Sequence, residues 1–279
     1  TPSFVKQQSL TMRLGTDNLT SYSLLAVFAH PDDESLACGG LLAWCADRGA
    51  RVALLCATHG EQGPNRSGNN KTPAQLGSTR ARELKQAVKV LGLSDVVLLD
   101  YPDGSLKWSD TNPLKEQIVD AIQKFRPDIV ITFGRDGLYW HPDHIAIHES
   151  TTAACATMGN KAPALYYVTM PPDCVKTLVD TVSSRPAAHA LSKEFCGITD
   201  LNAFGAQAPH PTLVLNVGCF AIQKLAALRC HQTQVAGSVL MHMTDRDAEE
   251  LFSIEHFHRS IIGQTHNTFL EHLPARPNK

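Results

Sequence analysis

Two short segments carry most of the chemistry this chain can offer. One is Ala29-His30-Pro31-Asp32-Asp33-Glu34, the other Gly134-Arg135-Asp136-Gly137-Leu138-Tyr139-Trp140-His141-Pro142-Asp143-His144. Together they bring His30, Asp33, His141 and His144, with Asp32, Glu34 and Asp143 as further carboxylates. Imidazole nitrogens combined with a carboxylate oxygen suit a catalytic zinc site, which takes three protein ligands and leaves a fourth position for water. Bound metal acidifies that water and polarises a carbonyl. Hydrolysis also needs a carboxylate base and a donor for the developing oxyanion. A single His or an Asp-Asp pair at a strand end is ordinarily a loop residue or a helix cap. Two H-P-D clusters, each with a further ligand within reach, point instead to one site.

The elements around them support that reading. Leu24–Ala29 is a short apolar run that ends at the first segment, and Ile129–Phe133 ends at the second. Further strands are predicted at Arg51–Thr58, Asp95–Leu99 and near Leu165–Thr169. Helices are predicted over Ala37–Arg48 (ended by Gly49), Thr72–Leu91 (ended by Gly92), Pro113–Phe125 with Asn112 as N-cap, and His144–Met158. This alternation implies βαβ units, and right-handed crossovers lead to a Rossmann-like, doubly wound, mostly parallel α/β sheet with helices on both faces. In the order 3-2-1-4-5 the first and fourth strands flank the switch point, where open α/β sheets bind ligands, so the two segments should face one crevice. Beyond residue 170 the pattern loosens. Residues 173–210 read as irregular, Thr212–Val217 as a strand, and Ala221–Gln234 and Asp245–His258 as helices. The chain is expected to be one domain over 1–279, with an N-terminal extension (1–22), a core sheet (23–170) and a C-terminal elaboration (171–279) packed on the same core.

Composition excludes several classes. Among 279 residues, 25 Lys+Arg against 27 Asp+Glu leave a net charge of −2, so no basic excess exists to neutralise a nucleic-acid backbone. A hydrophobic share of 43% with 19% charged residues is that of a folded globular protein. No apolar run approaches the ~20 residues of a membrane span, and the polar stretch Thr1–Thr20 has no signal-peptide h-region, so a cytoplasmic protein is expected. The eight cysteines include no C-x-x-C pair, and Cys38, Cys45 and Cys56 lie in apolar segments as small hydrophobes. Nothing in the sequence sets the oligomeric state, and a homo-oligomer is compatible with it.

These residues resemble the LmbE/PIG-L-type deacetylases, zinc-dependent de-N-acetylases that include the mycothiol- and bacillithiol-pathway enzymes. The resemblance rests on A-H-P-D-D-E at 29–34 followed by Gly39-Gly40, and on H-P-D-H at 141–144. It extends to the R-x-x-E helix around Arg80–Glu83, the P-D-G-x-L loop at 102–106 and the A-L-x-x-H-x-T-Q helix at 227–234, so it covers about residues 23–235. It implies hydrolysis of the N-acetyl group of a small-molecule N-acetylglucosaminyl conjugate with Zn2+ or another divalent metal such as Fe2+. It implies His30, Asp33 and His144 as metal ligands and Asp32 as general base. His141 would stabilise the oxyanion and protonate the amine. Arg80 would grip substrate oxygens, and Asp103 would orient His141 or bind the sugar. Tyr139 would lie near the oxyanion. Trp140 departs from the small residue usual before H-P-D-H and would either form a stacking wall for a sugar or an aglycone or narrow the entrance.

The Gly/Asn-rich stretch His59–Lys71 is a candidate lid or specificity loop. His242, His256, His258, His266 and His272 fall outside the motifs and carry no expected catalytic role. The competing readings are an amidase acting on a related thiol pseudodisaccharide and a non-catalytic sugar- or nucleotide-binding module. The second lacks the G-x-G-x-x-G expected after its first strand. The aglycone leaves no spacing code in the sequence.

Overall fold

Strands with no polar face need cover on both sides, and five consecutive strands here have nearly that character. The computed structural model describes all residues except 1–10, 16, 187–190, 192, 273–274 and 277–279. Its strands are β1 (Thr11–Arg13), β2 (Ser23–Phe28), β3 (Arg51–Thr58), β4 (Asp95–Tyr101), β5 (Ile129–Phe133), β6 (Ala164–Thr169), β7 (Leu213–Asn216), β8 (Ile254–Arg259) and β9 (Ala275–Arg276). They form one sheet in the order β4-β3-β2-β5-β6-β8-β7-β1-β9. The first five are all parallel. They reproduce the expected 3-2-1-4-5 order, so β2 and β5 lie side by side where the winding reverses, with Leu24 opposite Ile129.

The helices are α1 (Asp33–Asp47), α2 (Pro73–Leu91), α3 (Asn112–Phe125), α4 (Gly137–Trp140), α5 (Pro142–Met158), α6 (Cys174–Ser183), α7 (Ala221–Cys230), α8 (Gln232–Val235) and α9 (Asp245–Leu251). α2 begins in a reciprocal capping box between Thr72 and Gln75 and stops at Gly92 in the left-handed region (φ 80°). No helix among the described residues is long and apolar enough to cross a membrane. All eight cysteines are free thiols, and Cys38, Cys45 and Cys56 are fully buried as expected.

Several local expectations are corrected. α1 starts at Asp33 rather than Ala37, which puts Asp33 and Glu34 in its first turn. Asn112 lies inside α3, and its backbone N–H donates to the Asp110 carboxylate. The stretch 173–210 contains α6, whose Val175, Leu178, Val179 and Val182 enter a second apolar cluster with α7 and α9. Part of the N-terminal extension joins the sheet, because β1 pairs with β7. Residues Ala221–Gln234 do not form one helix but break at His231.

The largest correction concerns Asp245–His258. Its helix ends at Leu251, and Ile254–Arg259 is a strand inserted antiparallel between β6 and β7. Within this strand Glu255 is buried. Its carboxylate accepts from the Gly40 and Leu41 backbone N–H groups and from Lys224 Nζ at 2.7 Å. Those N–H groups lie just past a non-helical Cys38 (φ −152°) that interrupts α1. A Cβ at Gly40 would sit 2.6 Å from Val217 Cγ2, so only glycine permits this approach.

Candidate active site

His30 stands two residues past the end of β2, and β5 leads through the 134–141 segment into α5, whose first turn carries His144. Because the strands are adjacent and parallel, both loops emerge at the same sheet edge. His30 Nδ1 and His144 Nε2 meet at 3.1 Å. Asp33 completes the triangle, with Oδ2 3.4 Å from His30 Nδ1 and Oδ1 3.2 Å from His144 Nε2. All three residues are buried.

The far side of each imidazole defines its tautomer. His144 Nδ1 lies 3.0 Å from the Gly137 carbonyl, which can only accept, so Nδ1 carries the proton and Nε2 is bare. His30 Nε2 lies between Asp103 Oδ1 at 3.1 Å and Asp143 Oδ2 at 3.3 Å, and donates to them, so Nδ1 is the nitrogen that the neutral ring can offer to a cation. Two imidazole nitrogens able to offer lone pairs thus converge with a carboxylate. Ligands held tetrahedrally at zinc distances are separated by about 3.3 Å, so this donor set fits a divalent cation. Carboxylates backing a ligating His are the usual outer arrangement of such sites. Two wider groupings, His30 with His141 and His144, and His30 with Asp103 and Asp143, also place their ligand atoms within 4.8 Å. In the latter, however, both carboxylates face the protonated side of His30 and are held by backbone N–H groups. Asp143 accepts from Gly104 and Leu106, and Asp103 from Gln62.

Electrostatics follow this geometry. Burial alone would lower the His30 imidazole, but hydrogen bonds to Asp103, Asp143 and Asp33 reverse the shift and raise it. Burial opposes ionisation of Asp33 too, yet His144 and His30 hold its carboxyl well below the usual range. Asp103, buried but bonded to His30, is held at about 2. Asp32 goes the other way. Burial, then the charge of Asp33, pushes its carboxyl up to about 8.

Asp32 occupies the left-handed region (φ 107°, ψ −26°), which a residue with a side chain enters only under constraint. Its carboxylate does not cap α1 and instead lines the cavity beside the triangle. His141 lines the same cavity. Its Nδ1 accepts the Asp143 backbone N–H at 3.2 Å, so the neutral ring carries its proton on Nε2. Burial and the neighbouring His144 and His30 push His141 down to about 4.

The cavity measures about 230 Å³ and draws on seven segments of the chain. Besides His30, Asp32, Asp33 and His141, it is lined by Arg80, Asp103 and Tyr139, as expected from the sequence. Tyr139 stands edge-on to His144, with ring centroids 5.2 Å apart. Trp140 is not among the lining residues. It adopts φ 67° and leaves 45% of its surface exposed.

Arg80 is buried while Arg82 is exposed. Its fork, expected to grip substrate, is largely engaged by protein: Nε donates to Thr233 Oγ1, one terminal nitrogen to the Gly60 carbonyl and the other to the Pro64 carbonyl at 2.9 Å. Asp103 contacts His30 and Gln62, and its orienting bond goes to His30 rather than His141. The 59–71 loop is tied down along its length. Glu61 accepts from the Asp103 N–H, Arg66 donates its backbone N–H to Thr233, and the Arg66 guanidinium pairs with Glu194. Its first half therefore forms a wall of the cavity.

The opposite wall holds residues the sequence did not signal: Cys196, Gly197 and Ile198, which follow Glu194. Nothing in their spacing marks them. Gln234 also lines the cavity, and His231 is fully buried with Nε2 2.9 Å from Glu34 Oε1. Both stood in the A-L-x-x-H-x-T-Q segment, which was the available signal. None of the five C-terminal histidines lines the cavity.

Comparison with known proteins gives a consistent picture. Residues 25–155 match the family model described as PIG-L, GlcNAc-PI de-N-acetylase. The chain is 30% identical over 259 residues to a 1D-myo-inositol 2-acetamido-2-deoxy-alpha-D-glucopyranoside deacetylase from Acidothermus cellulolyticus, covering 84% of this chain and 87% of that protein. Among solved structures, the N,N'-diacetylchitobiose deacetylase of Pyrococcus horikoshii aligns with a TM-score of 0.58 at 16% identity, covering 85% of this chain and 83% of the other. The 4-carboxy-2-hydroxymuconate hydratase GalB of Pseudomonas putida KT2440 aligns at 0.59 with 18% identity, covering 88% and 99%. At such identities the structural likeness establishes the fold, which this pair shows to serve more than one reaction.

Proposed function

The chain belongs to the GlcNAc-PI de-N-acetylase (PIG-L, LmbE-like) family, and from that premise we propose that it hydrolyses the N-acetyl group of a small N-acetylglucosaminyl conjugate, releasing acetate and the free amine. The observation that carries this reading is the convergence of His30 Nδ1, His144 Nε2 and the Asp33 carboxylate beside the Asp32 carboxylate. In this reading His30, Asp33 and His144 hold Zn2+ or a similar divalent ion such as Fe2+. When bound, that ion supplies a Lewis acid for the water and the amide carbonyl.

The chain's own groups do the rest. Asp32 takes a proton from the attacking water and is positioned to return it to the departing amine. His141 stays neutral at physiological pH and donates from Nε2 to the acyl oxygen as charge develops there. Because its Nδ1 is already occupied by a backbone N–H, His141 acts as a hydrogen-bond donor, and the amine's proton comes from Asp32. Tyr139 bounds the acyl side, while Asp103 orients His30. Arg80 shapes the sugar side through the 60–64 carbonyls and offers its remaining N–H groups to substrate oxygens. Eight free thiols suit a cytoplasmic enzyme.

The test is acetate release from 1D-myo-inositol 2-acetamido-2-deoxy-alpha-D-glucopyranoside and a panel of other N-acetylglucosaminyl conjugates, with metal removed and restored. Chelation should abolish release and added divalent ion should restore it. Turnover that survives complete metal removal, or that survives Asp32→Asn, would overturn the reading.

A further inference from the structure

Asp32 is held in a disfavoured backbone conformation, and the groups that hold it come from the far end of the chain. Its N–H is turned onto Glu34 Oε2 at 3.1 Å. Glu34 is completely buried, and its other oxygen accepts from Ser35 Oγ at 2.6 Å and from His231 Nε2 at 2.9 Å. His231 reaches Glu34 because it is the break between α7 and α8 (φ −81°, ψ 56°), which turns its ring out of the helical path. Three residues on, Gln234 Nε2 donates to the Pro31 carbonyl, the peptide that precedes Asp32. The α7–α8 break therefore grips the Pro31–Asp32 turn at two points.

We propose that Glu34 and His231 form a positioning couple for Asp32, fixing the turn that aims its carboxylate into the cavity. The inference rests on Asp32 being the general base. A role in stability alone fits the geometry less well. His231 Nδ1 is buried without a hydrogen-bond partner among the described residues, and a buried charged or polar pair of this kind is commonly matched or bettered in stability by apolar side chains. Glu34 directs its second oxygen to the Asp32 N–H, so whatever holds Glu34 also sets the turn at Asp32, and the kinetic readout separates that effect from helix capping alone. Substrate need not touch either residue, so the effect should fall on the rate of the chemical step and spare binding.

The experiment is a double-mutant cycle on 1D-myo-inositol 2-acetamido-2-deoxy-alpha-D-glucopyranoside, reading kcat, KM and bound metal. His231→Leu should lower kcat ~10–100-fold, as expected for a misplaced catalytic group. KM should stay within about threefold and metal content should be unchanged. His231→Gln, whose amide can still donate to Glu34, should recover most of kcat. In an Asp32→Asn background His231→Leu should cost nothing further, because its effect passes through Asp32. If His231→Leu does not fold, His231→Asn, too short to reach Glu34, takes its place in the cycle. Wild-type kcat in the Leu or Asn variant, no rescue by Gln, or an undiminished loss in the Asp32→Asn background would overturn the positioning role. Wild-type kcat in Asp32→Asn itself would remove the base assignment and this inference with it. An inactive Asp32→Asn beside a fully active His231→Leu would remove this inference alone.

Discussion

His30 Nδ1 lies 3.1 Å from His144 Nε2 across 114 residues of sequence, and each ring turns its other nitrogen to a backing oxygen. The two facing nitrogens are therefore the pair that neutral rings can offer to a cation, and Asp33 completes the set.

Ligand and base should separate cleanly on substitution. His30→Ala and His144→Ala should each lose the metal, measured as metal-to-protein stoichiometry after dialysis. Asp32→Asn should keep full stoichiometry and lose ~10²–10⁴ in kcat. Metal loss in Asp32→Asn would show that this carboxylate is a ligand.

Asp103 should act through the metal site more than through sugar binding. Its Oδ1 sits 3.1 Å from His30 Nε2. Asp103→Asn should weaken metal affinity by ~10–100-fold, seen in competition with a chelating dye. At saturating metal, KM should change little. A large rise in KM with unchanged metal affinity would favour a sugar contact instead.

Metal-free protein should show the raised Asp32 carboxyl in its stability. Between the ordinary carboxylate value of about 4 and the folded value of about 8, the folded state holds a proton that the unfolded state has released. Folding stability contributed by this group is therefore present at low pH and lost as pH rises towards 8. Asp32→Asn cannot titrate, so its melting temperature should fall less than that of wild type between pH 5 and pH 8. Parallel curves would argue against the shift.

Lys224 and Glu255 should be strongly coupled. Both are buried and their charged atoms are 2.7 Å apart. Lys224→Met leaves Glu255 uncompensated beneath α1 and should cost about 3–5 kcal/mol in urea unfolding. A loss below about 1 kcal/mol, the scale of a surface pair, would mean that water reaches this site.

The parallel half of the fold was legible because its signals are local. Runs such as Ile129–Phe133 can only be buried strands, and the alternation with capped helices leaves few topologies. The meeting of both H-P-D segments was legible for the same reason, since each follows a strand whose neighbour is given by the strand order. β8 was not legible. Glu255 reads as a surface acid until a gap at Gly40 and the cation of Lys224 make a buried carboxylate tolerable, and those partners lie 215 and 31 residues away. Cys196–Ile198 and the anchoring of Arg80 escaped likewise, because a rim assembled from loops has no period.

The sequence by itself determined which side chains converge, because residue type, strand end and strand order are fixed by short-range patterning. Only the tertiary structure decided what each one is bonded to. Asp103 went to His30 instead of His141, Arg80 to the loop carbonyls, and His231 to the acid that holds Asp32. The physical reason is that a buried polar group must find a partner, and which partner lies within 3 Å depends on how distant segments pack.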